Sequence, residues 1–201
     1  MPQHKRPAVV RRAVLAVPLV VVVLLAVWSR GCTRWPALYY MTGPSMEPTV
    51  RASEVFSATS PAEPLERGMP VLFRYVDEDG EFSVLRRLAG LPGDTVAMRA
   101  GRVVVNGTPQ PWPFRVVKAE AHRSPLARGG ELYDWGPVIV GPDSVFVLAD
   151  TRDVIGWPDS RFLGPLPLAD LIARAGRIVW TPSPGRLFHS LQPASRGAKP
   201  R

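Results

Sequence analysis

A short segment around Ser45 has the residue types that a serine nucleophile needs. Pro44 and Pro48 fix the backbone dihedral φ on both sides of the serine, and Gly43 allows a substrate or another backbone to come close. A serine hydroxyl is a weak nucleophile unless a general base lies beside it. An ordinary turn has a similar composition. The segment therefore indicates catalysis only if the rest of the chain supplies a base, a group that orients the base and a place for a substrate.

Groups that accept a proton near neutral pH are few in this chain of 201 residues. Arginine greatly outnumbers lysine, and beyond the first four residues the lysines and histidines are Lys5, Lys118, Lys199, His122 and His189. Lys118 and His122 lie in residues 111–136, whose weak periodicity predicts an insert or a loop. We expect both of them, and His189 in the C-terminal segment, to be solvated surface residues.

Short β-like runs at close spacing make up the middle of the chain. Residues 70–76 and 81–89 flank an Asp-Glu-Asp-Gly hairpin signal, and residues 95–98 and 102–105 flank a second turn. Residues 166–180 are expected to end the folded part with one short helix and a strand. The 23 prolines and 17 glycines agree with strands and turns rather than long helices. This pattern predicts an all-β domain, barrel-like or sandwich-like.

The N-terminal region predicts a membrane anchor. Residues 1–12 are short and basic, and residues 13–28 are apolar throughout. At about 1.5 Å per residue this run spans ~24 Å, slightly less than a hydrocarbon core, but the flanking arginines can snorkel and Trp28 suits the interface. The alternative is a cleaved signal peptide, although no small-x-small cleavage site follows the run. The basic flank places the N-terminus in the cytoplasm and the following domain outside.

The predicted organisation is a basic segment over 1–12, a transmembrane anchor over 13–29, a β domain over 35–181 and a flexible tail over 182–201. Cys32 is the only cysteine, so we expect no internal disulfide, no metal-ligand cluster and no cofactor. The net charge of +8 is dispersed and accompanies no nucleic-acid-reading motif. Attraction to the anionic headgroups of a lipid membrane is the simpler interpretation of this charge.

Three segments occur in an order that resembles the bacterial signal peptidase I family of membrane-anchored serine endopeptidases. They are Gly-Pro-Ser-Met-Glu-Pro-Thr at 43–49, Arg-Arg-Leu-Ala-Gly-Leu-Pro-Gly-Asp at 86–94, and Asp-Thr-Arg-Asp at 150–153 followed by Asp-Ser-Arg-Phe-Leu-Gly at 159–164. Residues 167–180 resemble the closing segment of the family. Each motif alone is weak, and their order behind an N-terminal anchor makes the resemblance specific.

The resemblance implies an all-β catalytic domain that removes signal peptides from exported precursor proteins, on the outer face of the bacterial cytoplasmic membrane. It implies that Ser45 is the nucleophile of a Ser/Lys pair. The backbone N–H of Ser45 would contribute to an oxyanion hole close to Gly43, and Met46 would pack beneath the site. Four charged residues match those that brace the site in the family, as salt-bridged loop residues: Asp150, Arg152, Asp159 and Arg161.

The sequence departs from the family at the general base. The position of the family's lysine holds Arg86, followed by the expected Arg87. A buried lysine can lose its proton near neutral pH, whereas arginine cannot. Loss of a general base typically costs about 10²–10⁴-fold in rate. Residues 153–159 also lack the serine hydroxyl that helps to hold the family's lysine, and Ala149 stands where the family usually has a glycine that borders the substrate.

Three hypotheses follow from these observations. The first is a signal peptidase I-like endopeptidase. It would either be slow, use a base at another position, or transfer the serine proton through water. The second is a non-catalytic relative that binds extended peptides or assists the assembly of surface proteins, in which Arg86 pairs with Asp150, Asp159 or a peptide carboxylate. The third, an unrelated single-pass β protein, treats all three motifs as coincidence. The first is favoured narrowly.

Overall fold

The structure is a computed structural model that describes residues 36–60, 64–116, 133–152 and 158–191. The chain divides into two compact units at 36/37, and the description below concerns the second. The basic segment over 1–12 and the anchor predicted over 13–29 lie outside the described residues. Within the described ranges, no helix has both the length and the apolar character required to cross a membrane.

The larger sheet contains seven strands in the order β1-β2-β11-β3-β4-β9-β10. All of its pairings are antiparallel. Its strands are β1 (Ala37–Tyr40), β2 (Val55–Thr59), β3 (Pro70–Asp77), β4 (Gly80–Gly90), β9 (Ser144–Leu148), β10 (Leu166–Pro167) and β11 (Leu171–Trp180).

The smaller sheet contains four antiparallel strands in the order β7-β6-β5-β8. They are β5 (Thr95–Arg99), β6 (Arg102–Val105), β7 (Thr108–Pro109) and β8 (Trp135–Ile139). The described helices are short: α1 (Ser160–Leu163) and single turns of 3-10 helix at Pro44–Met46, Leu168–Asp170 and Pro184–Arg186. The described residues are thus mostly β, as the sequence predicts.

The β3–β4 hairpin agrees closely with its sequence prediction. Asp77 pairs with Gly80, so that the turn consists of Glu78 and Asp79, and Tyr75 pairs with Phe82 further along the ladder. The Asp77 side chain accepts a hydrogen bond from the backbone N–H of Asp79 at 2.9 Å, a local contact that favours the turn. The hairpin places β4, and with it Arg86, next to the centre of the larger sheet.

The segment over 111–136, predicted as an insert or loop, ends in a strand that pairs with β5. The short helix α1 begins after Asp159, whose side chain accepts a hydrogen bond from the N–H of Arg161 at 2.9 Å and so caps the helix. Part of the tail predicted over 182–201 is packed: Leu191 is buried, and Arg186 forms an ion pair with the buried Glu54 at 2.7 Å. Residues 192–201 lie outside the described residues.

The hydrophobic core beneath the Ser45 segment is formed mainly by the larger sheet. Met46 and Val50 lie in one cluster with Phe56 of β2, Leu72 of β3 and Ile178 of β11, and all five are at most 1% exposed. Anchoring Met46 and Val50 in this core holds the polypeptide on the C-terminal side of Ser45 in a fixed position.

Candidate active site

Ser45 lies in the 3-10 turn Pro44–Met46, between β1 and β2, and is buried. Gly43 precedes the turn in an extended conformation, and the N–H of Glu47 donates to the carbonyl of Pro44 at 3.0 Å. The two prolines and the core contacts of Met46 make this turn rigid. The sequence predicts a fixed local shape for the segment, and the structure gives that shape as a turn that follows a strand.

Thr151 also stabilises the turn, through hydrogen bonds. Its N–H donates to the carbonyl of Ser45 at 3.0 Å, and its hydroxyl donates to the carbonyl of Pro44 at 2.6 Å. Thr151 belongs to the Asp-Thr-Arg-Asp motif at 150–153, and the resemblance implies no role for it. The signal that could have revealed it is its position next to Asp150 in that motif.

Arg86 is the side chain that contacts the Ser45 hydroxyl. Its Nη1 donates to Ser45 Oγ at 3.1 Å and to the carbonyl of Leu85 at 2.5 Å, and its Nε donates to the carbonyl of Pro158 at 2.9 Å. Arg86 therefore occupies the place next to Ser45 that the sequence assigns to the base. Because guanidinium nitrogens are donors only, Arg86 donates a hydrogen bond to the serine oxygen and cannot accept the serine proton.

The charge of Arg86 persists at neutral pH. Burial lowers the pKa of Arg86 to about 10, and the neighbouring charge of Asp159 opposes that fall. Because about 10 lies well above neutrality, Arg86 remains protonated at pH 7. Ser45 consequently has a cation beside it, in the direction of its Oγ.

Arg86 is only partly satisfied by its surroundings. Its side chain is 1% exposed, and its Nη2 has no hydrogen-bond partner among the described residues. None of the ion pairs formed within the described ranges involves Arg86. A buried donor without a partner costs about 1–3 kcal/mol, and more for a charged group. Within the described residues no direct ion pair joins Arg86 to Asp150 or Asp159, although, against the lowering by burial, the charges of both carboxylates raise the pKa of Arg86.

A cavity of about 390 Å³ contains Ser45 and Arg86 in its wall. One side is formed by the end of β1 and the residues after it, including Gly43, and the other by β4 from Phe82 to Arg86. Of the predicted site residues, Gly43, Ser45 and Arg86 are thus brought together. Met46 and Ala149 are buried and are not among the residues that line this cavity.

Four of the five predicted supporting residues form two buried ion pairs, and Arg152, which the resemblance implies to be salt-bridged, hydrogen-bonds to carbonyl oxygens instead. Arg87 makes a bidentate contact with Asp150, at 2.7 Å from Nε and 2.5 Å from Nη2, and also donates to the carbonyl of Gly68 at 2.5 Å. Thr49 bridges this pair, since its hydroxyl contacts both the Asp150 carboxylate and, at 2.6 Å, Arg87 Nη2. Because Thr49 follows Ser45 closely in sequence, the Arg87–Asp150 pair ties the serine segment to β4.

The second pair joins Asp159 and Arg161, with 2.8 Å between Arg161 Nη2 and the carboxylate. Burial alone would raise the pKa of Asp159, but the charge and hydrogen bonds of Arg161 and the N–H of Ala149 outweigh it, so this pKa is lowered. Arg152 donates to the carbonyls of Ala149 and Gly101. The ion-pair partner of Asp150 is therefore Arg87. The Arg152 guanidinium stabilises the loop by hydrogen bonds to carbonyl oxygens.

Of the alternative bases in the middle and C-terminal parts of the chain, His189 is the one that lies within the described residues, and it does not line the cavity that contains Ser45. His189 lines a different cavity, of about 1200 Å³, which contains Thr49 but not Ser45. Lys118 and His122 lie outside the described residues. Among the described side chains, no group of three or more His, Cys, Asp or Glu residues is placed to hold a metal ion.

Sequence reasoning missed the contacts that hold the serine segment from the C-terminal end of the chain. Arg186 donates to Glu54 at 2.7 Å and to the carbonyl of Thr49 at 2.7 Å, and Thr181 donates to Glu54 at 2.9 Å. These residues are more than 120 positions apart from their partners. No local pattern in the sequence indicates such a contact.

Comparison with known proteins identifies the family. The family model described as signal peptidase, peptidase S26, matches residues 10–180. The signal peptidase I T of Bacillus subtilis strain 168 is 31% identical over 168 residues, which are 82% of this chain and 82% of that protein. The signal peptidase I of Leptolyngbya laminosa is 36% identical over 96 residues, which are 48% of this chain and 40% of that protein. The chain belongs to the signal peptidase I family.

Among solved structures, the crystal structure of a signal peptidase I from Enterococcus faecalis V583 matches 56% of this chain and 97% of that chain. The sequence identity over this match is 19%, and the TM-score is 0.36.

Proposed function

We propose that this protein is a signal peptidase I-type serine endopeptidase that cuts the signal peptides of exported precursor proteins, with Ser45 as its nucleophile. The observation that carries the proposal is the position of Ser45 Oγ, which lies in the wall of a cavity at 3.1 Å from a cationic nitrogen of Arg86. A fixed cation at this distance stabilises negative charge on the serine oxygen.

Two strand edges support an extended substrate. β1 is the edge strand of the larger sheet, and β9 pairs with β4 only over residues 87–90, so that the first half of β4 has one unpaired side within the described residues. Both segments line the cavity. A peptide that adds as a strand obtains main-chain hydrogen bonds from such edges, and its alternate side chains enter pockets.

The proposed reaction differs from that of a Ser/Lys pair in its first step. Ser45 Oγ gives its proton to hydroxide from solvent, attacks the scissile carbonyl carbon and forms a tetrahedral oxyanion, which the Ser45 N–H would stabilise. The carbon–nitrogen bond then breaks, and the departing amine takes a proton from water. A second water hydrolyses the acyl-serine ester and releases the peptide acid and Ser45. Because no general base assists, we expect a rate about 10²–10⁴-fold below that of a lysine-containing site.

We place this reaction on the outer face of the bacterial cytoplasmic membrane, with residues 13–29 as a single anchor and the N-terminus inside. The support is the apolar run between basic flanks in the sequence and the family membership.

A second candidate function is peptide binding without cleavage, or assistance in assembling surface proteins. The specific observation in its favour is that Arg86 donates to Ser45 Oγ and stays charged at neutral pH. Under this candidate the cavity retains an extended peptide and Ser45 acts only as a hydrogen-bonding group.

Cleavage of a purified signal-peptide precursor by the full chain in detergent distinguishes the two candidates. We expect slow cleavage that Ser45→Ala abolishes, whereas Ser60→Ala, a change at an exposed serine after β2, leaves it intact. Cleavage that survives Ser45→Ala would refute Ser45 as the nucleophile. No cleavage by the wild-type chain at any pH up to 10 would support the binding function instead.

A further inference from the structure

The unsatisfied side of Arg86 points to a ligand chemistry. A guanidinium has five N–H donors, and the described contacts of Arg86 use Nε and Nη1. Nη2 is buried and has no acceptor among the described residues. The acceptors that Arg86 does have are two carbonyl oxygens and a hydroxyl, all of them neutral. The cavity wall therefore contains a cation whose charge no contacting group in the described ranges cancels.

The carboxylates near Arg86 form ion pairs with other arginines. Asp150 makes its bidentate contact with Arg87, and Asp159 contacts Arg161 and the N–H of Ala149. Asp77 is the other charged residue that lines the cavity. Arg86 pairs with Val71 of β3, and Asp77 is six residues further along that strand. At about 3.3 Å per residue, Asp77 is ~20 Å from Arg86, too far for an ion pair.

We infer that Arg86 makes this cavity a binding site for the C-terminal carboxylate of an extended peptide. A carboxylate carries a negative charge and accepts a charge-assisted hydrogen bond, and Nη2 is the nitrogen of Arg86 that has no acceptor among the described residues. Because Nη2 is buried, the charge-assisted contact is strong. The carboxylate lies at Ser45 and Arg86, and the peptide extends along the cavity toward Asp77.

The consequence is a preference for cleaved peptides over intact ones. An intact precursor presents a neutral amide at Ser45, whereas a peptide that ends there presents an anion. The inference rests on the proposed function only in that an extended peptide lies in the cavity, and it does not require that the protein cuts the peptide. A neutral lysine at position 86 would provide no such attraction.

Binding of two hexapeptides to the full chain tests the inference. Their sequence is N-acetylated Ala-Ser-Ala-Ser-Ala-Ala; one has a free C-terminal carboxylate and the other a C-terminal amide. Isothermal titration calorimetry at pH 7 should show the acid binding at least about tenfold more tightly than the amide. Equal affinities, or no binding of the acid, would overturn the inference with the wild-type chain alone.

Two variants test whether the preference for the acid depends on the positive charge of Arg86. Arg86→Gln should reduce the acid-to-amide affinity ratio to about one, and Arg102→Gln should leave the ratio unchanged. Arg102 is an exposed arginine of β6 that does not line the cavity, so it controls for the loss of one positive charge. A ratio that persists in Arg86→Gln would contradict the assignment. If precursor cleavage fails while the acid preference holds, the proposed endopeptidase function fails and this inference stands. If cleavage occurs but the acid and the amide bind equally, this inference fails and the endopeptidase function stands.

Discussion

Arg86 and Arg87 are consecutive residues of β4, both are at most 4% exposed, and their surroundings differ completely. Successive side chains of a strand point to opposite faces. On one face Arg87 is matched by Asp150, Thr49 and the carbonyl of Gly68. On the other face Arg86 contacts only neutral oxygens within the described residues.

Burial alone therefore does not reveal the role of an arginine. A buried ion pair whose hydrogen bonds are all satisfied cross-links the segments that supply it. A buried cation without a carboxylate partner is costly for folding, and such a residue is typical of a functional position. The same strand thus carries a structural arginine and, one residue earlier, the arginine that we assign to the site.

Removal of Arg87 should have the largest effect on stability. Arg87→Met leaves the buried Asp150 carboxylate without its partner, and breaking a buried pair in this way costs about 3–5 kcal/mol. Urea unfolding of the wild-type and variant chains, monitored by circular dichroism, measures the loss. A loss below about 1 kcal/mol would show that Asp150 does not depend on Arg87.

The Asp159–Arg161 pair should make the protein sensitive to acid. The native-state pKa of Asp159 is lowered, so its contribution to stability is present above the unfolded-state value of about 4 and is lost as the pH falls below it. We expect the melting temperature of the wild-type chain to fall by about 2–4 °C for each kcal/mol lost in this range. Asp159→Asn should be less stable at pH 7 and less dependent on pH between 5 and 3. An unchanged pH dependence in Asp159→Asn would contradict this assignment.

Thr49 should contribute less than either ion pair. Thr49→Val removes the hydroxyl between Arg87 and Asp150 while keeping a similar volume, and we expect a loss of about 1–2 kcal/mol in the free energy of unfolding. The matched control is Thr59→Val at the exposed end of β2, which should change stability by less than about 0.5 kcal/mol. Equal losses in the two variants would exclude a bridging role for Thr49.

Removal of Arg86 should have the smallest effect on stability. Arg86→Met loses three hydrogen bonds but also removes an unpaired buried cation and its unsatisfied Nη2. We expect a change of at most about 1 kcal/mol in either direction, against the larger loss in Arg87→Met. A loss as large as that of Arg87→Met, in the same unfolding experiment, would mean that Arg86 is a structural residue.

The sequence predicts those parts of the fold that have local signals. The β3–β4 hairpin follows from Asp-Glu-Asp-Gly between two apolar runs, and β5 and β6 follow from a similar pattern. It does not predict β8, which follows a segment of weak periodicity, or β1 and β2, whose pairing depends on residues about 20 positions apart. β11 pairs with both β2 and β3, and no local pattern in the sequence indicates these two pairings.

The candidate site was predictable only through motif resemblance. Gly43, Ser45 and Arg86 meet in one cavity, as the motifs imply, but the partners of Asp150 and the roles of Thr49 and Thr151 depend on side-chain contacts across the fold. The packing of Arg186 against Glu54 could not be predicted, because 132 residues separate them. Residues near a chain end with high proline and serine content are ordinarily expected to be flexible.

The pH dependence of precursor cleavage by the wild-type, Ser45→Ala and Arg86→Lys chains tests the central claim, that the group beside Ser45 is a cation and not a base. We predict that the wild-type rate rises about tenfold per pH unit from 7 to 9, because hydroxide must remove the serine proton. Arg86→Lys should be faster at pH 7 by about 10²–10⁴-fold, because burial allows a lysine to lose its proton. Ser45→Ala should be inactive throughout. A wild-type rate that is level around pH 7 and equal to that of Arg86→Lys would contradict the account.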